Sequence, residues 1–166
     1  PTAKSRAGAL GLWQFMYRTG KMMGLEVNSY VDQRMDPYLA TDAACRYLTF
    51  LYNMYDDWSM ALAAYNAGPG NVNKAIRRSG GRMTYWEIRP YLPRETQNYV
   101  PFFIAMTYIM TYHAEHNIYP AEVEWQRFEV DTICPSNNIK ISHVDSLLDM
   151  SLADIEYLNP IFKSDI

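Results

Sequence analysis

Trp58-Ser59-Met60-Ala61-Leu62-Ala63-Ala64-Tyr65-Asn66-Ala67-Gly68-Pro69-Gly70 is the stretch on which the fold turns. Met60, Ala61, Ala63 and Ala64 are apolar and mostly small, so a helix beginning near Trp58 can let its neighbours approach closely. Gly68-Pro69-Gly70 stops that helix, since glycine accepts the left-handed conformation of a helix end and proline cannot continue the hydrogen-bond ladder. Val72, Ala75 and Ile76 then mark a further short helix ending before Ser79-Gly80-Gly81.

The helical pattern extends in both directions. Upstream, Asp36-Pro37 breaks the chain, and Thr41 is the expected N-cap of a helix running to about Tyr55 with Ala44, Leu48, Leu51, Tyr52 and Tyr55 on one face. Residues 1–24 are punctuated by Gly8, Gly11, Gly20 and Gly24, which predicts short helices joined by tight turns, with Leu12, Phe15 and Met16 as an apolar face. Downstream, Pro93 leads into 95–100, and Pro101 is expected to open or kink a long helix ending near His116. The apolar run 99–112 is shorter than the roughly 20 residues a bilayer span needs, and it reads as a core helix. No part of residues 1–116 alternates with period two, so the fold class is mainly α.

After Asn117 the composition changes. Tyr119-Pro120 and Cys134-Pro135-Ser136-Asn137-Asn138 have boundary character, giving a main domain over 1–117, a linker over 118–130 and a small appendage over 131–166. In the appendage, 131–134 is expected as a short strand and 141–148 as a helix. Ser151-Leu152-Ala153-Asp154 has the form of a capping box for a second helix, ended by Asn159-Pro160.

A chain of 166 residues with 49% apolar side chains can bury one main core. Its net charge of -3 supplies no basic field for phosphate backbones, which argues against nucleic acid as a partner. Cys45 and Cys134 are too few for a disulfide framework or a zinc site, and Cys45 is expected as a small buried residue. His113, Glu115 and His116 match no strong metal-ligand spacing, so neither a metal nor any other cofactor is expected. The 14 tyrosines and 4 tryptophans serve cores first, and sugar faces only where polar groups converge beside them.

Three motifs carry a more specific signal. Gly11-Leu12-Trp13-Gln14, Ala64-Tyr65-Asn66-Ala67-Gly68 and Glu95-Thr96-Gln97-Asn98-Tyr99-Val100 stand in the order and at the spacing of the lytic transglycosylases of the lysozyme-like superfamily. The resemblance spans residues 1–116. Trp13 resembles the variant found in the branch named membrane-bound transglycosylase D, whereas Tyr17 departs from a proline common nearby. The strand, two helices and Leu158-Asn159-Pro160 of the appendage resemble an incomplete LysM module, with a generic helical hairpin equally compatible.

The resemblance implies a lysozyme-like helical domain that cleaves the MurNAc–GlcNAc bond of peptidoglycan and leaves 1,6-anhydroMurNAc ends. In that family a single glutamate gives and then takes the proton, while the substrate's own N-acetyl group assists at the anomeric carbon. That glutamate belongs to a Glu-Ser-x-aromatic-x-Pro motif whose last residue corresponds to Pro1, so no catalytic acid is expected within the chain and residues 1–166 alone are expected to be inactive. Ser5, Gln14, Tyr65, Asn66, Glu95 and Tyr99 are the implied substrate-binding residues. Read locally, Ser5 is a turn residue, Gln14 a helix-surface side chain, Tyr65 and Asn66 a helix terminus, and Glu95 a first-turn carboxylate favoured by the helix dipole. The implied partner is a peptidoglycan glycan strand, in the periplasm or cell envelope of a bacterium. The implied loss of a first helix also suggests association with another chain. A lysozyme-like hydrolase and a noncatalytic peptidoglycan-binding module are the alternatives.

Overall fold

The computed structural model describes residues 2–121, 130–137, 139–148 and 150–163, and these are mainly helical. In chain order the helices are α1 (Tyr17–Met22), α2 (Pro37–Tyr55), α3 (Trp58–Ala67), α4 (Pro69–Arg78), α5 (Tyr85–Ile88), α6 (Arg94–Thr111), α7 (Ile141–Leu148) and α8 (Leu152–Leu158), with single 3-10 turns at Gln33–Met35 and Arg89–Tyr91. Among the described residues extended pairing is limited to isolated bridges. The chain divides into two units, Pro1–Cys45 with Val123–Ile166, and Arg46–Glu122.

In the first unit a buried cation organises the amino-terminal chain. Arg34 is 5% exposed, and its Nη1 donates to the carbonyls of Gly8 at 3.1 Å and Phe15 at 3.0 Å. Its Nε and Nη2 donate to the two carboxylate oxygens of Asp32 at 2.9 and 2.7 Å, the bidentate geometry that makes an arginine pair strong. Burial pushes the Asp32 carboxyl up, but the Arg34 hydrogen bonds and charge, with Lys163 adding, bring it net below its ordinary value. The expectation of short helices over 1–24 is therefore corrected: only 17–22 is helical, and the remainder is a turn-rich path pinned by bridges Lys4↔Leu10 and Leu10↔Phe15. Carbonyls that a helix would satisfy internally are answered by Arg34. Phe15 is buried as expected, while Leu12 and Met16 are exposed.

The cap of α2 also differs from expectation. Asp36 Oδ1 accepts from the backbone N–H of Tyr38 and Leu39, both at 2.8 Å, so the helix begins at Pro37. Proline is well suited to the first helical position because its missing N–H is not needed there. Thr41 lies one turn inside and accepts the indole N–H of Trp13 at 2.8 Å. Cys45, expected to be buried, is exposed.

At the other end of this unit, α7 and α8 form where the sequence places them, and Ser151 caps α8 by accepting from the Asp154 N–H at 3.2 Å. Residues 131–134 are not a strand, a correction to the expectation, because no described residue pairs with them. Pairing occurs instead at residues 161–163: Asp32 N–H donates to the Ile161 carbonyl, Lys163 N–H to the Tyr30 carbonyl, each at 2.8 Å, and Val31 bridges Phe162. Of the expected linker 118–130, residues 122–129 lie outside those described, as does Asn138 in the boundary-like stretch 134–138.

In the second unit α3 packs against α4, α5 and α6. Met60, Ala61, Ala63 and Ala64 are all fully buried, which is the close approach their small side chains permit. Asp57 caps α3 by accepting from the Met60 N–H at 2.6 Å. Gly68 ends it with φ of 81°, a conformation an L-residue avoids, and Pro69 opens α4. Tyr85 is 1% exposed and its hydroxyl donates to the carbonyl of Gln97 at 2.9 Å, which ties α5 to the start of α6.

Helix α6 departs from the expected core helix. It starts at Arg94, carries Pro101 inside, ends at Thr111, and buries only Thr96 and Val100 in its first turns. Beyond them Phe102, Ile104, Met106 and Met110 are 52–70% exposed. Apolar content measures what a side chain would gain from burial, not whether a neighbour is there to cover it.

Candidate functional site

Tyr65 lies in the last turn of α3, where a helix packed by alanines on one side presents larger side chains on another. Its ring stands 5.5 Å from that of Tyr47 on α2, tilted by 50°. Burial raises the Tyr65 phenol far above its ordinary 10.0, and the neighbouring phenols of Tyr99 and Tyr47 raise it further. Burial also raises Tyr99 and Tyr47. All three rings therefore remain un-ionised near neutral pH, so each can donate a hydrogen bond from its hydroxyl.

The next residue, Asn66, joins α3 to α6. Its Oδ1 accepts from the Thr96 hydroxyl at 2.7 Å, and its Nδ2 donates to Oε1 of Glu95 at 3.3 Å. Thr96 is 1% exposed while Glu95 is on the surface, so the amide is anchored to a buried hydroxyl on one side and steadies an exposed carboxylate on the other. Glu95 lies in the first turn of α6, where unpaired backbone N–H groups favour a negative charge. Of the residues expected from sequence, the second unit thus brings Tyr65, Asn66, Glu95 and Tyr99 into one cluster. It adds two that sequence reading missed. Thr96 stands inside the third motif, where nothing marks a threonine chemically; Tyr47 was not among the residues placed on the α2 face.

Ser5 and Gln14 belong to the first unit. Ser5 Oγ accepts from the Ala9 N–H at 2.9 Å, and its own N–H donates to the Ala9 carbonyl at 2.9 Å, closing the turn around Gly8. Gln14 is not on a helix surface: it holds φ of 51° in the turn before Phe15. Its Nε2 donates to the Gly11 carbonyl at 2.7 Å and the Ala3 carbonyl at 3.2 Å. With both amide hydrogens engaged inside the loop, the group left for a ligand is the amide oxygen.

A carboxylate held by an amide, beside the half-buried, un-ionised phenols of Tyr65 and Tyr99, offers acceptors, donors and flat apolar faces together. That combination suits a polyhydroxylated ligand bearing amides. Among the described residues no three His, Cys, Asp or Glu side chains gather to hold a metal ion.

The sequence matches the Transglycosylase SLT domain over residues 1–87, more than half of the chain, and the protein belongs to that family. It is similar to the membrane-bound lytic murein transglycosylase D of Escherichia coli K12, 40% identical over 114 residues that make up 66% of this chain and 25% of the relative. The soluble lytic murein transglycosylase of the same organism is 31% identical over 134 residues, 76% of this chain and 21% of the relative. The peptidoglycan transglycosylase of Escherichia phage T7 is 43% identical over 74 residues, 43% of this chain and 6% of the relative. The chain spans about a quarter of the length of the first of these. The mainly helical fold agrees with the family.

Proposed function

We propose that the protein is a lytic transglycosylase of the bacterial cell envelope that cleaves the MurNAc–GlcNAc bond of peptidoglycan glycan strands and leaves 1,6-anhydroMurNAc ends. The observation that carries this reading is the cluster of Tyr65, Asn66, Thr96 and Glu95, two family motifs joined side chain to side chain at 2.7 and 3.3 Å. In this reading Glu95 and Asn66 receive sugar hydroxyls and the N-acetyl group, and the Tyr65 and Tyr99 rings offer their faces to the sugar. Ser5 and Gln14, in the first unit, are substrate contacts that the resemblance implies. In the family a single glutamate supplies the proton, and the Tyr65 phenol is the group suited to orient such a carboxyl. The muramic 6-hydroxyl replaces water as the acceptor.

The test is digestion of purified sacculi by the full-length gene product, with the released muropeptides separated by mass. Anhydro ends are expected. Reducing ends identify a hydrolase, and binding to sacculi without release identifies a noncatalytic module. Tyr65→Phe in the same protein is expected to slow release about a hundredfold, a usual cost of deleting a positioned donor at a reacting centre. An unchanged rate removes that role.

A further inference from the structure

One segment of the second unit carries a charge opposite in sign to that of the chain as a whole. Between Asn71 and Arg94 stand Lys74, Arg77, Arg78, Arg82, Arg89 and Arg94 against the single acid Glu87, whereas the entire chain has a net charge of -3. Lys74, Arg77 and Arg78 are three and four positions apart, so they share one face of α4, opposite the fully buried Val72 and Ala75. Arg78 stacks over the Tyr91 ring at 6.0 Å, which carries this face on to the Arg89–Tyr91 turn. Arg82 pairs with Glu87 at 2.9 Å, tying the loop that bears Met83 to α5, which carries Trp86. Lys74, Arg77 and Arg94 make no ion pair among the described residues.

Three large apolar or amphipathic side chains are set among these cations: Met83, Trp86 and Tyr91 are 54%, 56% and 40% exposed. Trp86 is not loose, because its ring meets the buried Tyr85 ring edge to face at 5.1 Å and 76°. A soluble polyanion requires only the cations. Exposed Trp, Tyr and Met beside Arg and Lys fit a surface in which charged headgroups overlie an apolar layer, where aromatic rings settle at the boundary and cations meet the anionic heads. No helix among the described residues is long and apolar enough to cross a membrane, so the mode of contact is lying on it.

We propose that the α4 face, with the loop and turn that follow it, docks on an anionic lipid surface. Lys74, Arg77, Arg78 and Arg82 meet headgroup phosphates, and Met83, Trp86 and Tyr91 enter the interfacial layer. The contact is independent of the glycan cluster around Asn66, and it would hold the domain against a membrane while the strand is engaged.

The experiment is co-sedimentation of the chain with phosphatidylglycerol-containing vesicles and with pure phosphatidylcholine vesicles across a salt series. Binding to the anionic vesicles alone, weakening as salt rises, is expected. Lys74→Gln/Arg77→Gln is expected to weaken it about thirtyfold, at roughly fivefold per cation, with the far-ultraviolet circular dichroism unchanged. Trp86→Ala is expected to weaken vesicle binding even at low salt. Equal binding to both vesicle types, no binding to either, or no effect of the double substitution overturns the proposal. A short DNA duplex or polyphosphate bound as tightly as the vesicles, with Trp86→Ala without effect, overturns it in favour of a soluble polyanion.

Discussion

The hydroxyl of Thr96 on α6 donates to Oδ1 of Asn66 on α3 at 2.7 Å, and this bond ties the buried side of α6 to the end of α3. With Oδ1 held by Thr96, the amide nitrogen is directed to Glu95 at 3.3 Å. A hydroxyl can donate or accept whereas a carboxylate accepts, so the Glu95 contact assigns Nδ2 to its side and leaves Oδ1 to receive the Thr96 hydroxyl.

Thr96→Val keeps the shape and removes the donor. The expected cost is about 1–2 kcal/mol in urea unfolding, because a part-buried amide oxygen is left without its partner. A cycle with Asn66→Ala should then be non-additive, since the second substitution has little of the bond left to remove. Additive effects would show that the two side chains act separately. In glycan release by the full-length protein the Thr96→Val loss should appear more in KM than in kcat, as expected for a residue that positions a binding group.

Tyr47, Tyr65 and Tyr99 supply a pH dependence with a definite sign. All three phenols are raised in the folded state above their ordinary 10.0, mainly by burial. The unfolded chain ionises them first, so their stability contribution is complete below pH 10 and is lost as the pH rises through the folded values. Alkaline unfolding should begin above pH 10, and spectrophotometric titration should show these rings ionising late or only on unfolding. Tyr99→Phe should move the alkaline limb to higher pH. A limb that stays where it was would mean that Tyr99 titrates as an ordinary surface phenol.

How much of this was legible in the sequence depends on how local each cause is. The stop between α3 and α4 is written within three residues, Gly68-Pro69-Gly70, and the structure follows it. The cap Ser151 acts within three residues of itself and was legible; Asp57 acts over the same span at α3 but was not singled out, and at α2 the nearer Asp36 took the role expected of Thr41. Residues 1–24 were misread because the group that satisfies their carbonyls, Arg34, is 26 positions from Gly8 and 19 from Phe15. The exposed length of α6 was misread for a related reason, since burial depends on a partner and composition names none. In the site, Tyr65, Asn66, Glu95 and Tyr99 were visible through their motifs. Thr96 was not singled out, because a threonine acquires significance only when the amide opposite it is known.

The Asp32–Arg34 pair should dominate the acid side. Asp32 lies net below its ordinary 3.8 in the folded state, so the unfolded chain takes up the proton first as pH falls. The pair's contribution is complete above pH 3.8 and declines below it, as the pH falls through the folded value. Asp32→Asn strands a cation that is 5% exposed, with an expected cost of about 3 kcal/mol or more at neutral pH. That variant should also show a flatter stability curve below pH 3.8 than the parent. An undiminished acid slope would place the titrating group elsewhere.

Gly11 and Gly70 give a contrast between two outwardly similar substitutions. A Cβ at Gly11 would lie 1.9 Å from the carbonyl oxygen of Arg34, at a φ of +79°. The obstacle is backbone, and moving it would disturb the turn that presents Arg34 to Gly8 and Phe15. Gly11→Ala should therefore cost more than about 2 kcal/mol, combining left-handed strain with the steric clash. A Cβ at Gly70 meets nothing within 4 Å, and Gly70 lies in the first turn of α4. Gly70→Ala should leave stability unchanged or raise it by up to about 1 kcal/mol, because alanine restricts the unfolded chain without straining the helix. Thermal unfolding of the two variants beside the parent decides the matter: opposite shifts support the close packing of Gly11 against Arg34, whereas a tolerated Gly11→Ala would show that this turn can open without loss.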